Sequence, residues 1–357
     1  MSDGFDTSKR AAFEARMNDV LNGGAIALMV SIGHRTGLFD IMSELPPSPS
    51  AKIAWEAGLI ERYVREWLGA MVTARFVEYD PDADTYALPR EHAALLTRAA
   101  RPRNLAMVAQ WIPMLAAVEN EVVNCFERGG GIPYPAFERF DAVMAEQSDQ
   151  SIVSVLLEAV LPGVPGLVSM LQGGAVALDV GCGSGLALNR MAERFPRSLF
   201  TGYDLSVDAI AAAKIDASER GLANVHFEVR DVAALEVRGE FDLITSFDSI
   251  HDLARPSVVL RAIVRALRPG GYFLMQDVAG TSHLERDIEH PCAPFLYTAS
   301  CMHCVPVSLA QGGAGLGAMW GRETAVQMLH VAGFATVDVQ QLAHDPTNLY
   351  YVAHTKS

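Results

Sequence analysis

Ala177-Leu-Asp-Val-Gly-Cys-Gly-Ser-Gly-Leu186 decides how this chain is read. A short apolar run (Ala175, Val176, Ala177, Leu178, Val180) carries one acid, Asp179, near its end, the pattern of a buried strand. Gly181, Gly183 and Gly185 follow at spacing two, where a side chain would keep a ligand away from the backbone. The spacing narrows the ligand. A dinucleotide fingerprint needs G-x-G-x-x-G at the head of a helix, and Leu186 stands where its third glycine belongs. Taken alone, the stretch is either a nucleotide-like site or a plain strand-to-helix turn.

Composition bounds the rest. The 357 residues are 50% hydrophobic and 20% charged, enough for two well-packed domains. A formal net charge of −14 disfavours nucleic acid as a general partner. The best apolar run, Ala25 to Ile32, falls far short of the ~20 residues that span a bilayer. The N-terminus MSDGFDTSKR is polar and mixed in charge, unlike a signal peptide. Five cysteines, an odd number, suit a reducing cytoplasm better than a disulfide framework.

Residues 8–45 are expected to be helical, with Gly23-Gly24 separating two helices. The apolar residues there, Phe13, Met17, Val20 and Leu21 among them, exceed one buried face and suggest a partner surface. Ser50 is a candidate N-cap for a helix over 50–57, which ends at Gly58. A second helix, Glu61–Thr73, and a hairpin from Phe76-Val-Glu-Tyr and Tyr86-Ala-Leu follow, then a helix from Glu91. Helix–turn–helix plus hairpin is a winged helix. Its charges argue against DNA: residues 46–103 hold eight basic and eight acidic side chains, with Glu61 and Glu66 on the would-be recognition helix. A dimerisation and lid module fits better. Residues 104–172 read as two or three helices broken at Arg128-Gly-Gly-Gly-Ile-Pro-Tyr-Pro, a linker-like stretch. From Ala175 onward, strands beginning near 175, 199, 225, 241 and 271 alternate with helices, and an antiparallel pair, Ala335–Gln341 and Leu349–His354, completes seven. The expected divisions are 1–103, 104–172 and 173–357.

Acids recur at the strand ends. The second strand closes on Asp204, about 20 residues past the glycines, where a carboxylate can accept from ribose hydroxyls. The third leads to Asp231-Val232. The fourth, Phe241–Phe247, opens into Asp248-Ser-Ile-His251-Asp252, and Leu267-Arg-Pro-Gly-Gly leads the fifth to Asp277. In this order the segments resemble the class I S-adenosylmethionine (SAM) methyltransferases, and the N-terminal part is similar to the winged-helix dimerisation domain of small-molecule O-methyltransferases.

The resemblance implies an α/β, Rossmann-like seven-stranded sheet of order 3-2-1-4-5-7-6 with strand 7 antiparallel, SAM at the carboxyl ends of the strands, and a cytoplasmic homodimer. It further implies that Asp179, Gly181, Cys182, Gly183 and Gly185 cradle the amino-acid part of SAM. Asp204 and Leu205 would hold the ribose side, Asp231 and Val232 the adenine, and Phe247 would lie near the sulfonium. His251, in the His251-Asp252 pair, stands where such enzymes keep the base that removes the acceptor's hydroxyl proton; an imidazole with an ordinary pKa near 6.5 can do so. A packing role for the same histidine stays open. Residues 283–321 are the least family-like. Cys301-x-x-Cys304 with His290 or Cys292 has the residue types of a zinc site, but eight residues between Cys292 and Cys301 are too few for the usual ligand pairs, and no metal is expected. Cys292, Cys301, His303 and Cys304, with Tyr134 and Trp320, are expected on a substrate-pocket wall. The function expected is methyl transfer to a small molecule, with oxygen the first choice of acceptor atom. N- or C-methylation and a SAM-sensing winged-helix regulator are the alternatives; nucleic acid and membrane are not expected partners.

Overall fold

The computed structural model describes residues 5–356. Its packing divides between Pro113 and Met114 into two compact units.

The first unit contains α1 (Thr7–Arg35), α2 (Leu38–Glu44), α3 (Ser50–Ala57), α4 (Glu61–Thr73), the hairpin strands β1 (Glu78–Asp80) and β2 (Thr85–Ala87), and α5 (Arg90–Leu96). α1 runs unbroken through Gly23-Gly24, contrary to expectation. Each glycine weakens a helix by about 1 kcal/mol but removes none of its backbone bonds. The turn comes instead at Gly37, whose φ of 73° only glycine adopts freely. Ser50 is not the cap of α3. Pro49 precedes the helix there, and the Ser50 hydroxyl donates to Glu61 Oε1 at 2.7 Å. Ser48 bridges Tyr86 through two backbone bonds of 2.9 and 3.0 Å, an isolated bridge beside the two-stranded wing. The core gathers Phe39, Leu68 and Met71 around Trp67, whose indole N–H donates to Met29 O at 2.8 Å. Gly33 makes this approach possible, since a Cβ there would lie 2.5 Å from the Trp67 ring. Phe13 and Leu21 remain 65% and 66% exposed on α1. Among the described residues no single helix is long and apolar enough to cross a membrane, although the bent pair α1 and α2 passes by length and composition.

The second unit is built on seven strands: β3 (Val176–Val180), β4 (Leu199–Asp204), β5 (Val225–Val229), β6 (Phe241–Phe247), β7 (Leu267–Val278), β8 (Thr336–Gln340) and β9 (Asn348–His354). Their order, β5-β4-β3-β6-β7-β9-β8, is the expected 3-2-1-4-5-7-6, with β9 antiparallel to both neighbours. β7 begins at Leu267 rather than near 271, because Leu267 already pairs with Phe241 before a register shift. Successive residues feed different cores: Ala177 and Leu243 pack with Leu188 and Phe200, whereas Leu178 and Ile244 pack with Ile263 and Phe273. Both faces of the sheet are therefore covered. The segment expected over 104–172 is more broken than two or three helices, with short helices Leu105–Val108 and Trp111–Ala116 at its start. It holds helices Glu119–Arg128, Phe140–Ser148 and Leu167–Gly173, with π-helical turns at Asp149–Val153 and Leu156–Val160. The glycine-rich stretch after Arg128 is docked: Ile132 N–H donates to Pro306 O at 3.0 Å, and a Cβ on Gly131 would sit 2.2 Å from that same oxygen.

Candidate active site

The turn after β3 assigns its three glycines different tasks. Gly185, at φ 71°, precedes helix Leu186–Arg194, and a Cβ there would lie 2.6 Å from the Phe227 ring. A Cβ on Gly181 would lie 2.6 Å from the Ser249 side chain. These two glycines permit packing. Gly183, at φ 51°, has nothing within 4 Å of its Cβ position. Its N–H donates to Asp204 Oδ2 at 2.8 Å, and Ser206 N–H donates to Asp204 Oδ1 at 2.8 Å. Each oxygen of that carboxylate keeps acceptor capacity beyond these bonds. Burial raises the Asp204 pKa, opposed by the Ser206 and Gly183 N–H groups. Cys182 packs beneath the turn, its Sγ 2.8 Å from where a Cβ on Gly202 would be.

Asp179 is 2% exposed and accepts from Thr245 Oγ1 at 2.7 Å. Burial lifts its pKa to about 7, with Thr245 opposing. The native carboxyl therefore holds its proton well above the pH at which an unfolded aspartate ionises. Stability from this group is full below about pH 4 and is lost as pH rises through 7. Asp179→Asn should remove that dependence. Between pH 5 and 8 the variant should lose about 3 kcal/mol less stability than the parent chain in denaturant titrations. Parallel losses would exclude this protonation state.

The adenine-side residues are placed less uniformly. Val232 is buried, whereas Asp231 caps the turn after it and pairs with Arg255 at 2.9 Å. Leu205 is 47% exposed beside Asp204, and Phe247 is half-buried at the end of β6.

His251 lies on a short 3₁₀ turn after β6 and is 3% exposed. Ser249, two residues before it, donates to Val180 O at 3.0 Å, so this turn adjoins the glycine turn. His251 Nδ1 is 2.8 Å from Asp277 Oδ1, which also accepts from Val278 N–H at 2.8 Å and from the Trp320 indole N–H at 3.0 Å. An oxygen receiving those two donors is an acceptor, so Nδ1 carries its proton toward it. Nε2 faces Asp252 Oδ1 at 3.3 Å. Burial opposes charge on this imidazole, but Asp277 and Asp252 outweigh it and hold the pKa well above the ordinary value.

His303 is brought to the same place by a π-helical turn, Ser300–Cys304. Its ring stacks on Phe140 at 4.3 Å and meets Phe137 at 4.6 Å and Tyr134 at 5.8 Å. Burial keeps its pKa below the ordinary range. The structure thus joins Tyr134, His251, Asp252, His303 and Trp320, while Cys301 is exposed on the same turn. Ligand atoms of His251, Asp252 and Cys304 lie within 4.8 Å of one another, as do those of Asp248, His251 and Asp277. Where metal-ligand types converge, they are therefore not the cysteine pairs weighed from sequence. Thr245, Phe137 and Phe140 escaped the sequence reading, and Asp277 was read there only as a strand end, with no place in the site. Asp277 alone left a signal, as a further acid near a strand's carboxyl end.

Residues 24–98 match the family model of the Rv2258c-like winged HTH domain, and residues 171–330 match that of a methyltransferase domain. The chain has the class I methyltransferase fold behind a winged-helix domain. Over 106 residues the chain is 31% identical to a ubiquinone biosynthesis O-methyltransferase of Pseudomonas paraeruginosa, covering 29% of this chain and 45% of the relative. Over 104 residues it is 35% identical to a fatty-acid O-methyltransferase of Mycolicibacterium smegmatis, covering 29% of this chain and 37% of the relative. The matched part is thus less than half the length of either relative. Among solved structures, human N-acetylserotonin methyltransferase in complex with SAM is similar with a TM-score of 0.69 at 17% identity, covering 100% of both chains. The mitomycin 7-O-methyltransferase MmcR is similar with a TM-score of 0.71 at 19% identity, covering 98% of this chain and 100% of that one.

Proposed function

We propose that this chain is a SAM-dependent methyltransferase acting on a hydroxyl of a small molecule. The observation that carries it is the adjacency of an open glycine turn and a buried His251–Asp277 pair at the carboxyl ends of β3, β4, β6 and β7. The residues fit the cofactor. Gly183 offers unfilled space, and the Asp204 carboxylate retains acceptor capacity for ribose hydroxyls. Bound SAM supplies a methyl group already activated by the positive charge on sulfur. The chain's own work is then to hold the acceptor in line and receive its proton. His251 Nε2 takes that proton. Asp277 fixes the ring through Nδ1, and Asp252 stabilises the imidazolium that forms. His303 and the aromatic residues around it exclude water from one side.

Calorimetry should show SAM and S-adenosylhomocysteine binding, weakened on the order of 10- to 100-fold by Asp204→Ala. Release of S-adenosylhomocysteine with a phenol and alcohol panel should identify turnover. A chain that binds neither nucleoside would refute the reading. The exposed apolar face of α1 supports a homodimer, to be checked by light scattering. The five cysteines are unpaired, which suits a cytoplasmic location; cell fractionation tests it.

A further inference from the structure

Asp248 is a backbone outlier beside the catalytic candidates. It follows β6 at φ 54°, a left-handed conformation that costs a non-glycine residue about 1 kcal/mol or more. Its N–H donates to Gln276 O at 2.9 Å, which ties the conformation to β7. The side chain is thereby brought to His251 and Asp277, with one ligand atom of each of the three within 4.8 Å of the others. Asp248 Oδ1 is closed to solvent and has no hydrogen-bond partner. Asp277 Oδ2 shares that condition, in a residue 0% exposed. Three carboxylates thus surround one imidazole. Unpartnered buried acceptors are costly, and strain beside them is retained where a ligand completes the set.

We propose that Asp248 selects the methyl acceptor, taking a hydrogen bond from a second donor group next to the methylated hydroxyl. The acceptor class is accordingly a neutral or cationic molecule that presents an O–H or N–H at that position. An anionic neighbour would face three acids with one imidazole to offset them. The inference rests on the methyl-transfer reading but concerns selection, which can be read without turnover.

Four probes separate the possibilities: catechol, 2-(aminomethyl)phenol, salicylate and phenol carry the same ring and hydroxyl with different neighbours. With the full chain and saturating SAM, catechol and 2-(aminomethyl)phenol should exceed salicylate in kcat/KM by ~100-fold or more, since a site built around a donor rejects an analogue lacking it. Asn tolerates a left-handed backbone, so Asp248→Asn should fold. It should lower the catechol-to-phenol ratio ~10-fold or more, chiefly through KM, with SAM affinity unchanged by calorimetry. The same order should appear in thermal-shift binding of the probes to the chain saturated with S-adenosylhomocysteine. If that order holds while no methyl moves, the selection stands and the transfer reading fails. Salicylate binding as well as catechol would overturn the proposal, as would equal losses for all four probes in the variant. A stoichiometric divalent metal in the purified chain would overturn it too, because the unpartnered oxygens would then be ligands.

Discussion

His251→Ala lowers turnover by ~10²- to 10⁴-fold while leaving SAM affinity nearly unchanged; this is the expected result if Nε2 receives the acceptor's proton. The geometry supports so large an effect because the ring is buried and Asp277 holds its Nδ1 at 2.8 Å. Rates of S-adenosylhomocysteine release, set beside calorimetric SAM binding, measure the two quantities separately. Undiminished turnover would reduce His251 to packing. The pH profile adds a sign. A base must be neutral to act, and the pKa of this imidazole is held well above its ordinary value by Asp277 and Asp252 against the effect of burial. Turnover should therefore climb with pH through that raised pKa. Asp252→Asn removes one of the carboxylates and should move the rising limb to lower pH.

Gly185→Val should be the most damaging single change in the glycine turn. At φ 71° a β-branched residue is strained, and its Cβ would meet the Phe227 ring at 2.6 Å and Ala213 Cβ at 2.8 Å. Strain and overpacking each contribute about 1–3 kcal/mol, so a combined loss of about 3–5 kcal/mol is expected. For a unit of this size that is a Tm lower by on the order of 10 °C in a thermal melt. Gly183→Ala provides the contrast, because nothing lies within 4 Å of its Cβ position. It should lose only about 1–2 kcal/mol from the positive φ, yet weaken SAM binding by filling the free space. Equal melting of the two variants would contradict the division of labour among the glycines.

Much of the fold was legible because its signals are local. The α4 boundaries, the wing hairpin and the seven strands follow from period, turn residues and breakers. Local signals failed where a residue type permits a structure without requiring it. Gly23-Gly24 allowed a break in α1 that never came, since the helical backbone bonds survive two glycines. Ser50 had the chemistry of a cap, but Glu61 was the better partner for its hydroxyl. The first residues of β7 were missed because Leu267 enters the sheet ahead of the Pro-Gly-Gly turn.

The sequence by itself determined the Asp179–Gly185 turn, the acids at the strand ends and hence the sheet around them. A positive φ or a close backbone approach demands glycine at that position, and a strand end is marked by its immediate neighbours. Only the tertiary structure decided the surroundings of His251. Asp277 reaches it across 26 residues, and Cys304 and His303 arrive on a π-helical turn that no short motif announces. Which oxygens remain unpartnered, and so which acceptor can complete them, is settled by how the chain packs. Hydrogen-bond satisfaction is a property of the folded neighbourhood, and no residue carries it alone.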